Sequence, residues 1–289
     1  MTRSVSTIIR LPALVLVAPA ALIGEPEPSS SDKSGYHLFH PTPRALMREM
    51  STDRPDQTES PYTVDAGHFQ LEMDFVTFTY DHHSTDGVRT ESWNVVPVNL
   101  KVGLCNHVDL QMIFDNYVNL QTTDSANKVN ERASGFGDIT TRLKINLWGN
   151  DAGRTAFALM PFVKLPLPES NLRNGEIEGG VILPLAAELP GGWGMGVMTE
   201  FDFVSDADDY ETEWVNSITF SHDLTDRLGG YLEFFSVAGT APGFQWQGQV
   251  DVGFTYSVTA DIQFDLGCNF GVTRSAPDYN PFAGLSVRF

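Results

Sequence analysis

From His68 onward the chain alternates. Phe69, Leu71, Met73 and Phe75 fall on one face of an extended segment, and His68, Gln70, Glu72 and Asp74 on the other. That is the period-two signature of a strand with one apolar and one polar face. The pattern recurs almost without interruption to the last residue, Phe289. Read against the turn residues, it predicts twelve strands. They lie at about 67–80, 92–104, 108–118, 136–148, 154–165, 176–188, 194–204, 212–222, 228–237, 244–257, 261–272 and 281–289. The cleanest is 244–257, where Phe244, Trp246, Val250, Val252, Phe254 and Tyr256 alternate with Gln245, Gln247, Gln249, Asp251 and Thr255.

The connections alternate too. Short turns at 105–107, 149–153, 190–192, 225–227 and 259–260 take turns with longer polar loops at 81–91, 119–135, 166–175, 205–211, 238–243 and 273–280. Short on one side and long on the other is the layout of bacterial outer-membrane barrels, and an even strand number brings both ends to one side. Closure also satisfies every backbone N–H and C=O, as the hydrocarbon layer demands. The expected fold is therefore all-β: an antiparallel transmembrane β-barrel of about twelve strands over residues 67–289, with a short periplasmic N-terminal segment. A soluble sandwich alternates as well, but it does not confine long loops to every second connection. Tyr80, Trp93, Tyr117, Trp148, Trp193, Trp214, Trp246, Tyr256 and Phe289 stand near strand ends, where interfacial girdles belong.

Composition narrows the function. Among 289 residues, 37 acids oppose 18 bases, a formal charge of −19. Such a chain does not bind nucleic acid, which needs basic patches, nor dock on an anionic membrane surface. Two cysteines, Cys105 and Cys268, are too few for a disulfide framework, and nothing in the spacing asks for a cofactor. Arg3 and Arg10 lead into an apolar run over 11–23, with an A-x-A-like cleavage site at Ala18-Pro19-Ala20 and a second option near Gly24. The run is too short to span a bilayer and suits a secretory signal peptide, expected over residues 1–24. Residues 25–66 open with Glu25-Pro26-Glu27-Pro28-Ser29, a tether-like composition. Two readings stay open for them: a flexible periplasmic lead-in or a small plug.

Residues 51–61 (STDRPDQTESP), followed by Val64, Ala66-Gly67-His68-Phe69-Gln70 and Glu72, resemble the start of the transporter-like outer-membrane proteins of the MetA-pathway-of-phenol-degradation family. Gly135-Phe136-Gly137-Asp138 and Leu224-Thr225-Asp226-Arg227-Leu228 are similar to that family too. The resemblance spans roughly 50–289 and is most specific in its first twenty or so residues. It implies a Gram-negative outer-membrane barrel passing small hydrophobic or aromatic solutes by passive diffusion. It carries over no catalytic or binding residue.

With this register Glu72, Asp74, Asp109, Asp115, Asp138, Glu178, Glu200, Asp202, Glu233, Asp251 and Asp265 face the lumen, partly offset by Lys101, Arg142, Lys144, Lys164 and Arg288. An open pore so lined prefers cations; a packed interior would pair the same groups and conduct nothing. Asp53, Arg54 and Asp56 are read as an anchor at the periplasmic mouth. The loop carrying Asp206, Asp208, Asp209, Glu211 and Glu213 is a weak calcium candidate, because it lacks the glycine and terminal glutamate of an EF-hand loop. Two hydrolase constellations, His82-His83-Ser84 and Ser221-His222-Asp223, fail on geometry, since neighbours on a strand point to opposite faces. The expected partners are outer-membrane lipid, the barrel-assembly machinery through the terminal strand ending in Phe289, and an unidentified small solute. A non-conducting structural or binding barrel is the alternative to a channel.

Overall fold

The computed structural model describes residues 32–82, 88–124, 127–166, 176–206 and 209–289. The expected signal peptide, His83, Ser84 and Asp208 lie outside them, and of Asp206 the backbone alone is described. Fifteen strand segments build the wall: β1 (Phe69–Asp81), β2 (Val88–Val95), β3 (Val98–Cys105), β4 (Val108–Phe114), β5 (Tyr117–Asp124), β6 (Val129–Gly135), β7 (Ile139–Trp148), β8 (Thr155–Leu165), β9 (Glu178–Leu189), β10 (Trp193–Asp206), β11 (Asp209–Asp223), β12 (Leu228–Gly239), β13 (Gln247–Thr259), β14 (Ile262–Gly271) and β15 (Tyr279–Arg288). β2 with β3, β4 with β5, and β6 with β7 are the two halves of single crossings, so the segments make a closed antiparallel barrel of twelve strands. Closure is the β1–β15 pairing, from Gln70 opposite Arg288 to Tyr80 opposite Tyr279.

The crossing of β2 and β3 breaks where the backbone is forced out of extension. Val96 takes a positive φ of 55° ahead of Pro97, so β1 pairs with β3 through Phe69–Met73 and with β2 through Val76–Asp81. Two expected loops are corrected. Residues 119–135 are not a loop: β5 and β6 form a long hairpin, from Val118 opposite Gly135 to Asp124 opposite Val129. Beyond Val118 and Leu120 its residues are mostly polar or small, which hides strand from a hydrophobicity pattern. Likewise β10 and β11 reach Asp206 and Asp209, paired with each other, in place of a long 205–211 loop. Among the described residues β6 has one strand neighbour, β5.

Burial is inverted relative to a soluble protein. Phe69, Leu100, Leu232, Phe254, Leu266 and Phe270 are exposed on the outer surface, while Gln70, Glu72, Lys101, Asp109, Gln111, Lys144, Glu233, Asp251 and Asp265 are buried. An apolar outer belt around a polar interior is what hydrocarbon requires of a wall. A sandwich would bury the apolar face instead. No helix among the described residues is long and apolar enough to cross a membrane; this chain crosses with strands, as bacterial outer-membrane proteins do. Exposed Trp93, Trp148, Trp193, Trp246, Tyr117, Tyr256 and Phe289 stand at the ends of the apolar surface.

The lead-in folds back inside. At Gly67, with φ of 74°, the chain reverses, and a Cβ there would lie 2.7 Å from the Cα of Pro41. Residues 64–66 run beside β3, Ala66 bridging Gly103, with the Gly67 N–H donating to the Gly103 carbonyl at 2.8 Å. A Cβ on Gly103 would lie 2.1 Å from the carbonyl oxygen of Asp65. Gly103→Ala is therefore expected to destabilise the protein by about 1–3 kcal/mol through overpacking. The temperature at which the barrel loses its heat-modifiable gel mobility measures it; an unchanged temperature would refute this packing.

Candidate functional site

Inside the wall, residues 51–66 form a loop whose side chains bond to strands all round the barrel. Its base is tied by the Ser51 and Ser60 hydroxyls, 2.7 Å apart, and by Asp53 accepting the Ser60 N–H at 3.0 Å. Four charges then meet. Asp53 accepts from Lys144 Nζ at 2.6 Å and from Lys101; Lys101 Nζ also reaches Glu72 at 2.5 Å. The Asp53 N–H points at both Glu72 oxygens. Two cations and two carboxylates balance in a site where Lys101 is 3% exposed and Lys144 1%. Buried charges persist only when paired in this way. Burial alone would raise the Asp53 carboxyl, but Lys101 and Lys144 outweigh it and hold it well below the usual carboxylate range.

Higher in the lumen, Arg54 Nη2 bridges Asp74 at 2.5 Å and Asp265 at 2.6 Å, beneath the ring of Phe282. Glu59 pairs with Arg142. The Gln57 N–H donates to Glu233 at 2.8 Å and its side-chain amide to Asp251 at 2.7 Å. Thr58 Oγ lies 2.6 Å from Ser217 Oγ and donates to Glu233 at 2.5 Å. Asp53, Arg54 and Asp56 were expected at the periplasmic mouth; they sit deeper, because the turn at Gly67 sends the preceding residues up into the lumen. The mouth itself is held by Arg48 on Asp65 and Asn106, by Lys33 on Asp65 and Asp151, and by Arg288 on Asp261 and the Arg48 carbonyl.

The remaining predicted lumen residues divide. Asp109 accepts the Val64 N–H at 3.0 Å, so it too serves the lead-in. Above the loop, Lys164 bridges Glu178 at 2.8 Å and Asp138 at 3.5 Å, and Asp115 accepts from Asn94 at 2.8 Å. Glu200 and Asp202 are half-buried on the inner face of β10. Of the calcium candidates, Glu211 accepts from the Thr240 hydroxyl and Glu213 lies opposite Asp202; among the described residues no His, Cys, Asp or Glu group could hold a metal. Cys105 and Cys268 are free. Ser221 and His222 leave opposite faces of β11: His222 stacks on Trp193 at 4.7 Å and Ser221 is on the inner face, although both border one cavity by the periplasmic turns.

One feature of the interior went unread in the sequence. On the β8–β12 side, Met160, Ile182, Met198, Val215 and Val237 form a buried apolar cluster, with Phe162, Phe235 and Phe244 against it. Phe244, expected on the outer face of a strand, precedes β13 and turns inward onto this cluster. Strand parity could have found the patch: Val181 and Leu183 facing lipid place Ile182 inside.

Burial and the nearby Glu233 hold the Asp56 carboxyl well above its usual range, and burial raises Glu59 despite Arg142. The seated loop thus carries protons that a released one would lose. Their stabilisation is complete below the ordinary carboxylate range, about pH 4, and is lost as pH rises through the raised values. Asp53 has the opposite sign and matters only in strong acid. Seating is therefore expected to weaken from acid towards neutral and alkaline pH. Asp56→Asn should flatten that dependence in a thiol-labelling assay of Val64→Cys, a buried loop position, with Cys105 and Cys268 replaced by Ser and rates normalised to a free thiol at each pH; an equally steep profile would refute it.

Among solved structures, an outer-membrane channel from Pseudomonas putida F1 is similar over 83% of this chain and 100% of its own, at 12% identity and a TM-score of 0.57. The NanC porin covers 76% of this chain and 98% of its own at 9% identity and 0.48. The toluene transporter TodX of P. putida covers 76% and 87% at 10% and 0.41. The first of these shares the fold. No curated protein matches the chain. The family model described as "Putative MetA-pathway of phenol degradation" matches residues 52–289, from the lumenal loop to the final strand, and the chain belongs to that family.

Proposed function

We propose that the protein is a passive outer-membrane channel for small hydrophobic, including aromatic, solutes, with residues 51–66 as its plug. The observation that carries this reading is the two-sided lumen. An ionic, hydrogen-bonded loop occupies one side and an apolar patch with three phenylalanines lines the other. Aromatic side chains turned away from lipid suit a solute with an apolar ring. The family's link to phenol degradation supports the same class. The acid excess above the plug favours cations among ions that enter. No catalysis is assigned, since Ser221 and His222 point apart. Lipid surrounds the outer belt, and the strand ending in Phe289 is the handle for the barrel-assembly machinery.

The test is uptake. Displayed in a porin-poor Gram-negative host, the protein should raise the initial rate of radiolabelled toluene entry several-fold over an empty vector. Equal rates would favour a binding barrel that passes nothing.

A further inference from the structure

Across the lumen from the ionic quartet, the periplasmic half of the wall is nearly bare. Gly194, Ser221 and Tyr231 are cross-strand neighbours on β10, β11 and β12, and the row continues through Gly253 and Gly267 on β13 and β14. Tyr231 does not fill the space in front of Ser221. Its ring lies along the wall: a Cβ on Gly253 would meet its Cε1 at 2.6 Å, and one on Gly267 its hydroxyl at 2.9 Å. A cavity of about 340 Å³ remains between this wall and residues 54–56 of the loop, reaching Gly192 and Asp223 at the periplasmic turns.

The next row up closes it. Gly196 pairs with Thr219, and a Cβ on Gly196 would lie 3.0 Å from Thr58 Cγ2, so the loop rests on bare wall here. Thr58 is held in place by Ser217 and Glu233. On the far side of this contact begins the apolar patch: the Glu59 N–H points at Met198 Sδ, 3.4 Å away. Thr58 therefore stands between the patch and the cavity.

We propose that the cavity is the exit chamber of the channel and Thr58 its latch: a solute resting on the Met198 side reaches the periplasm when Thr58 leaves Ser217 and Glu233. The inference rests on the channel reading. The chamber suits small uncharged molecules. Its lining is polar without a free cation among the described residues: glycine backbone, the hydroxyls of Ser221 and Thr255, the Gln263 amide and the acids Asp56 and Asp223, with Arg54 tied to two carboxylates. Its volume falls at the low end of the roughly 300–1,000 Å³ of ligand sites, room for one or two rings.

Thr58→Cys with Ser217→Cys, in a background carrying Cys105→Ser and Cys268→Ser, places two thiols where two hydroxyls now touch. Oxidised cells should take up toluene at least about tenfold more slowly than the same cells after reduction. Ser221→Trp, which fills the chamber without touching the latch, should slow uptake whatever the redox state, provided the barrel keeps its heat-modifiable mobility. A bridge that forms without slowing uptake, or wild-type rates in Ser221→Trp, would overturn the chamber while leaving the channel intact. Should the bridge not form, the tryptophan variant decides alone. If the unlocked protein gives no more uptake than an empty vector, the channel reading fails and the chamber with it.

Discussion

Replacing Lys101 with Met is expected to cost the folded barrel about 3–5 kcal/mol, the usual penalty for removing one partner of a buried ion pair. Lys101 serves Asp53 and Glu72 together, and both carboxylates are as buried as it is. Lys144 continues to serve Asp53 after the change, so the unbalanced charge falls mainly on Glu72, which is 1% exposed. The denaturant midpoint in detergent micelles should drop with little change in slope. Adding Glu72→Gln should recover most of the loss, because the orphaned charge is then gone. A Lys101→Met midpoint equal to wild type would mean that the quartet does not form.

Arg54→Ala is expected to loosen the plug more than the wall. Arg54 bonds two carboxylates on β1 and β14, strands that flank the closing strand β15. Hydrogen bonds to charged groups contribute about 1.5–3 kcal/mol each. Losing even one such bond shifts the seated-to-released ratio about tenfold or more, at 1.4 kcal/mol per decade. A porin-poor host displaying this variant should therefore take up a pentose about tenfold faster than one displaying wild type, while the barrel still shifts on heating. Unchanged pentose uptake with an intact barrel would show that the ion pairs do not restrain passage.

The wall was readable, and of residues 51–66 only the choice between a lead-in and a plug was, for one physical reason. In a membrane strand every second residue must face lipid, so alternation such as Ile262, Phe264, Leu266 against Gln263, Asp265 is imposed locally and can be read locally. Where the hairpin of β5 and β6 turns mostly polar beyond Leu120, that constraint lapses and the strands vanish from the pattern. The loop of residues 51–66 has no period at all. Its position depends on partners far along the chain, Arg54 with Asp265 and Thr58 with Ser217. A hint existed: acids, bases and amides crowd the segment just before an interior lined with their complements, yet composition does not say which meets which. The apolar patch was hidden differently. Ile182 and Met198 fall on the inner parity of strands read mainly for their lipid-facing residues, and Phe244 continues an outward alternation in sequence while its backbone has already left the strand.

The most direct measurement is single-channel recording of the refolded full-length protein in planar bilayers, wild type beside Arg54→Ala. A plugged channel predicts discrete, cation-preferring conductance steps that are rare in wild type and much more frequent in the variant. No steps in either protein under any voltage would contradict it.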